Sequence, residues 1–165
     1  MKTLKKKIES SFDNIKVNIA DKTMVILIDK NSIVSILSFL KNMGYQHLAL
    51  ISCVDLIKEK QFEIVYILSA YMENDQEFTG KETRNIIIKT RITRDKPNFM
   101  TVMDIFENAE PYEREIHELF GINFQGHPRL TPLFLELEYK TPPFRKDFDT
   151  RKFVNKFFED IPAVD

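Results

Sequence analysis

The chain has 165 residues, 43% of them hydrophobic and 30% charged, with a formal net charge of −1. That length suits one domain with a sizeable core, and the balanced charge excludes a molecule-wide field that recruits nucleic acid or an anionic membrane. No apolar run approaches the roughly 20 residues of a membrane-spanning helix, and the basic N-terminus MKTLKKKIESSF lacks the apolar stretch of a secretory signal, so a cytoplasmic setting is expected.

In chain order, TLKKKIESSF suits a short helix and MVILID a strand. NSIVSILSFLKNMG is the clearest helix: Ile33, Ile36, Leu37, Leu40 and Met43 recur at spacings of 3 and 4, Asn31 or Ser32 suits its start, and Gly44 suits its end. HLALISCVD reads as a strand carrying the single cysteine, Cys53. A lone thiol forms no internal disulfide and holds no iron–sulfur cluster, so Cys53 reads as a small buried hydrophobe. QFEIVYILSAYM, apolar on both faces, reads as a strand inside a sheet. RNIIIKTRIT alternates, with Ile86, Ile88 and Ile92 on one face and Lys89 and Arg91 on the other. The polar link ENDQEFTGKET makes these last two an antiparallel hairpin. The fold class predicted is α+β: a mostly antiparallel sheet with helices on one face.

Past residue 95 the pattern changes. NFMTVMDIFENAEPYEREIHELFG predicts two short helices broken near Asn108–Pro111. In the second, Pro111 suits the first turn, Gly121 suits a left-handed cap, and Glu110, Glu113 and Glu115 complement the dipole at its N-terminus. Tyr112, Ile116, Leu119 and Phe120 make an apolar stripe, and Glu110–Arg114 and Arg114–Glu118 stand at i,i+4. Five of the seven prolines fall in the last forty residues, among persistent aromatics. Such a tail builds no core of its own and must lie on its domain or on a partner. The expected organisation is an α+β domain over 1–124 and an extended tail rich in proline and aromatics over 125–165.

His117-Glu118 looks like the front of a zinc-protease helix, but H-E-x-x-H needs a second histidine where Gly121 stands. With four glycines in all, there is no glycine-rich phosphate cradle, and no G-x-S-x-G occurs. A free-standing metal-dependent hydrolase using His117, Glu113 and His127 is the rival from another functional class. An isolated binding module is a third reading.

PYEREIHELFGINFQGHPRL (Pro111–Leu130) followed by PPFRKDF (Pro142–Phe148) resembles the signature of the 30-kDa subunit of respiratory complex I. This is the C subunit of NADH–quinone oxidoreductase, and it recurs in complex-I-related membrane-bound NiFe hydrogenases. The resemblance covers Glu110 to Phe148. It implies a non-catalytic scaffold subunit of the peripheral arm, on the cytoplasmic side of the membrane, in a complex that couples electron transfer to ion translocation. The partners implied are the hydrogenase-like large (49-kDa-type) subunit and neighbouring iron–sulfur subunits. This chain would bind no cofactor or metal and do no catalysis; iron–sulfur clusters, with NiFe or FMN, would belong to the partners. The partner-docking residues implied are Glu113, Arg114, Glu115, Phe120, Gly121, Gly126, His127, Pro128, Arg145, Lys146 and Asp147. Departures exist: Arg129, Thr131 and Pro132 stand where many members have an acid and then arginines, and EYKTPPF replaces a tryptophan and a second G-H-P. With HELFG, these favour the hydrogenase-type or ferredoxin-linked branch over the NADH–quinone branch.

Overall fold

A computed structural model describes residues 2–20, 23–70, 85–136 and 139–155. Its elements in chain order are α1 (Lys2–Ser11), β1 (Lys16–Ala20), β2 (Thr23–Leu27), α2 (Ile33–Asn42), β3 (His47–Leu56), β4 (Gln61–Ser69), β5 (Asn85–Thr93), β6 (Asn98–Met100), α3 (Glu110–Phe120), β7 (Asn123–Gln125) and α4 (Thr150–Val154).

Five strands form one sheet in the order β1-β2-β5-β4-β3. β1–β2, β3–β4 and β4–β5 pair antiparallel, and β2–β5 pairs parallel. The register explains which face is core. Met24, Ile86, Leu68 and Leu48 stand in one cross-strand row, and Ile26, Ile88, Tyr66 and Ile51 in the next. All eight are buried. Because side chains alternate along a strand, this parity sends Glu63, Lys89 and Arg91 to the opposite face. There Glu63 accepts from Lys89 Nζ (3.0 Å) and Arg91 Nε (3.1 Å).

Helices complete the core. Ile33, Ile36, Leu37 and Leu40 of α2 are buried, and Gly44, at φ 97°, lies just beyond the helix end. The helix starts as expected, with Ser32 at its N-cap position. Asp29 caps a preceding helical turn by accepting from the Asn31 amide, and Ser32 makes no side-chain cap bond. α3 packs across β3 at a bulge between Leu48 and Leu50. There the Leu48 and Ala49 carbonyls accept from Asn108 Nδ2 (2.8 Å) and Tyr112 Oη (3.0 Å), which satisfies groups the bulge leaves out of the ladder.

One sequence expectation needs correction, and one strand was not foreseen. Residues 98–109 hold no helix before α3's own approach turn. NFM is strand β6, in register with NFQ of β7. Phe99 and Phe124 sit opposite each other in that register and meet edge to face, their ring centroids 6.3 Å apart. A three-residue pairing across 25 positions leaves no local period to read. KVNIA, for which the sequence suggested no element, is edge strand β1, with Val17 facing the core. The hairpin link ENDQEFTGKET and the aromatic and proline residues beyond 155 lie outside the described residues.

Candidate functional site

The signature segment begins at α3. Pro111 occupies the first turn, where a missing N–H costs nothing, and Gly121 closes the helix at φ 73° with its amide donating to the His117 carbonyl. Ile116, Leu119 and Phe120 face the core, together with Glu113. Glu113 is fully buried. Its carboxyl accepts from Thr101 Oγ1 (2.6 Å) and from the Val102 amide (2.8 Å), which ties the loop after β6 to the helix. Burial raises its pKa to about 7, with those two hydrogen bonds opposing the rise. Glu113 does lie in the first turn of α3, as expected, but it faces the core rather than solvent.

The outer face of α3 forms a first clamp on the chain that follows. Arg114 donates through Nε to the Thr131 carbonyl (2.9 Å) and through Nη2 to the Pro132 carbonyl (2.8 Å), and pairs through Nη1 with Glu110 (3.1 Å). Glu118, one turn on, accepts the amides of Leu133 (3.0 Å), Phe134 (3.1 Å) and Leu135. The i,i+4 spacing thus places Arg114 and Glu118 on one face, where they grip consecutive carbonyls and then consecutive amides of one segment. His127 Nε2 donates to the Glu110 carbonyl (3.4 Å), and its Nδ1 accepts from the Arg129 amide (3.1 Å); the neutral tautomer with a proton on Nε2 satisfies both. Arg129 also pairs with Glu110 (3.1 Å).

A second clamp closes on the R-K-D residues. Asp55, buried on β3, receives Arg94 in a two-bond fork (3.0 and 3.2 Å) and the Lys146 amide (2.9 Å). Arg94 also pairs with Asp147. The fork geometry and charge-assisted bonds make this the strongest polar contact set in the site. Hydrogen bonds from Arg94 hold Asp147 below the usual carboxylate range, and those to Asp147 and Asp55 raise Arg94. Arg145 Nε donates to the Phe120 carbonyl (2.7 Å), and its guanidinium lies over the Phe62 ring (5.2 Å). Burial, and the neighbouring Arg94 charge, lower its pKa. The Phe144 amide donates to the Leu119 carbonyl (3.0 Å), and Phe62, Phe120 and Phe144 stack edge to face in series, each centroid 5.9 Å from the next.

Gly121 is required at this crossing. A Cβ there would stand 2.9 Å from Pro142 Cγ and 3.0 Å from Arg145 Nη2. Gly126, at φ 85°, faces Thr101 Cγ2 at 3.2 Å. Pro128 sits in the turn that follows, and Glu115 is half-buried on α3.

So the signature residues converge, but on the chain itself. Arg114, Gly121, His127, Arg145, Lys146 and Asp147 fasten residues 127–136 and 139–148 to the domain. Asp55, Arg94 and Phe62 complete the site and were not singled out from sequence. Their signal was parity: Asp55 shares the inward face of Ile51 and Cys53, and an acid there demands a partner. The residues proposed for a hydrolase are not assembled. Glu113 is engaged with the β6 loop, His127 with Glu110 and Arg129, and His117 Nδ1 with the Ile122 carbonyl at 2.8 Å. Among the described residues, no group of three or more His, Cys, Asp or Glu side chains is positioned to hold a metal. Cys53 is buried, and desolvation, with Asp55 adding, pushes its thiol up to about 12, so it is an inert thiol.

Comparison with known proteins agrees with the signature. Residues 26–154 match the family model described as respiratory-chain NADH dehydrogenase, 30 Kd subunit. The chain is 33% identical over 124 residues to the C subunit of the F(420)H(2) dehydrogenase of Methanosarcina mazei, covering 74% of this chain and 73% of that one. It is 31% identical over 141 residues to the C subunit of the NADH-quinone oxidoreductase of a Chelativorans species, covering 83% of this chain and 66% of that one. The C/D subunit of the NADH-quinone oxidoreductase of Phocaeicola vulgatus is 46% identical over 66 residues, only 13% of its own length. Among solved structures, a chain of the membrane-bound sulfane sulfur reductase, an archaeal respiratory membrane complex, superposes with a TM-score of 0.82 at 26% identity, over 99% of this chain and 94% of that one. The fold, the two clamps built from the signature and these matches agree: the chain belongs to the family of the 30-kDa subunit of respiratory-chain NADH dehydrogenase.

Proposed function

We propose that this protein is a non-catalytic scaffold subunit on the cytoplasmic side of a complex-I-related membrane complex. Its clamped C-terminal segment docks on the hydrogenase-like large subunit, and that contact fixes the spacing of electron carriers held by neighbouring iron–sulfur subunits. The chain itself binds no cofactor; iron–sulfur clusters, with NiFe or FMN, belong to its partners. The observation that carries this reading is the use of the signature side chains in two clamps on the described parts of the segment that follows α3. C/D relatives, in which both units share one chain, support the large subunit as the neighbour. No described helix is long and apolar enough to cross a membrane, so membrane attachment on this reading comes through the complex. Within the family we favour the hydrogenase-type or ferredoxin-linked branch, supported by the sequence departures after G-H-P and by the likeness to an archaeal respiratory complex. The similarity to the C subunit of a bacterial NADH-quinone oxidoreductase favours a second reading, membership of that complex itself.

Co-expression with the large subunit of its own complex tests the proposal. The two chains are expected to co-elute on size exclusion at equal stoichiometry. Separate elution, or stoichiometric metal in the purified chain alone, would overturn it. The donor that the intact complex oxidises, NADH or a reduced ferredoxin, separates the two branches.

A further inference from the structure

Most aromatic side chains among the described residues turn inward, as burial of their large apolar area requires. Phe134 and Phe144 do not: they are 68% and 58% exposed. Both are nevertheless fastened to the last turns of α3. The Phe134 amide donates to Glu118, as do the amides on either side of it, and Arg114 holds the carbonyls of Thr131 and Pro132 just upstream. The Phe144 amide donates to the Leu119 carbonyl, and its ring stacks on Phe120. Ordering backbone around an exposed aromatic brings the isolated chain little burial in return. It does remove part of the ordering cost of a later association. Large aromatics on pre-ordered backbone also suit the central, well-packed positions that dominate binding energy at protein interfaces.

We infer that Phe134 and Phe144 are anchors with which this chain docks on the large subunit. This rests on the scaffold reading above and names the residues that carry it. The large subunit is the occupant because C/D relatives carry both units on one chain. Such a tether holds the second unit at high effective concentration beside the first. The anchors lie inside the stretch that matches the family model, residues 26–154, so they belong to the C unit rather than to any linker beyond it.

The experiment uses the full chain co-expressed with its large subunit. The complex is purified through a tag on the large subunit, and its dissociation constant is measured by competition with labelled chain. Phe134→Ala and Phe144→Ala are each expected to weaken binding by about 10-fold or more, with Phe134→Leu restoring most of it. The thermal midpoint of the isolated Phe134→Ala chain should stay within about 2 °C of the unsubstituted chain, because an exposed side chain contributes little to folding. If the unsubstituted chain binds and both alanine variants bind equally well, the anchor assignment is wrong while the scaffold reading stands. If the unsubstituted chain does not bind, both fall. If the isolated chain is a dimer that Phe134→Ala turns into a monomer, the occupant is a second copy and the assignment to the large subunit is overturned.

Discussion

Glu113 shows how one residue type yields two different roles on one helix. At position 110 or 118 a carboxylate reaches the clamped segment; at 113 it points inward and meets Thr101 and the Val102 amide. Because its folded pKa is raised to about 7 from 4.5, the unfolded chain releases this proton first as pH rises. Its contribution to stability is therefore greatest below about pH 4.5, is lost progressively as pH rises, and levels off above about 7, a change on the order of 3 kcal/mol. Chemical denaturation from pH 4 to pH 8 should show this fall, and Glu113→Gln should flatten it while keeping an acceptor for the Val102 amide. Glu113→Ala instead orphans that buried N–H and is expected to cost about 1–3 kcal/mol. Gly121 is the other position where a single atom decides. Gly121→Ala meets a φ of 73° and contacts of 2.9 Å with Pro142 and 3.0 Å with Arg145. It should destabilise by at least about 1 kcal/mol and raise amide hydrogen exchange at Phe144 and Lys146, where the second clamp lets go.

At the scale of elements, β3 and α3 set the geometry. β3 supplies both a bulge that α3 grips and the buried Asp55 that receives Arg94 and the Lys146 amide. Asp55→Ala leaves Arg94 with Asp147 as its remaining ionic partner and is expected to cost about 1.5–3 kcal/mol, read as a lower denaturation midpoint with an unchanged slope. The same elements mark where the sequence was legible. α2 and β5 carry periods of 3.6 and 2 over nine or more residues, which follow from one-sided burial, and β3 and β4 read as long apolar runs. β6 and β7 carry three residues each and exist because Phe99 and Phe124 meet across the chain. A local window therefore saw helix in NFMTVMDIF. The site was half legible. Its signature residues stand in a contiguous pattern, but their partners Asp55 and Arg94 are 39 positions apart from one another and join only when β3 and the end of β5 fold together. The inward parity of Asp55 was the readable trace of that meeting.

For the whole molecule, the consequence is a division of labour between a sheet-and-helix body and a segment clamped along it. A tail of prolines and aromatics is not obliged to wait for a partner to become ordered. Two carboxylates of the body pin its described parts: Glu118 takes the amides of Leu133 to Leu135, and Asp55 takes the amide of Lys146. High salt should weaken the exposed pair of Glu110 with Arg129 more than the buried Asp55–Arg94 fork, because screening acts mainly on solvated charge. What the clamped segment then offers outward is Phe134 and Phe144. The most direct test of docking through this segment is a photoreactive phenylalanine analogue placed at position 134 in the intact, co-expressed complex. Irradiation is expected to give a covalent adduct with the large subunit, identified by mass spectrometry. An adduct formed only with other subunits, or only within this chain, would contradict docking of this segment on the large subunit.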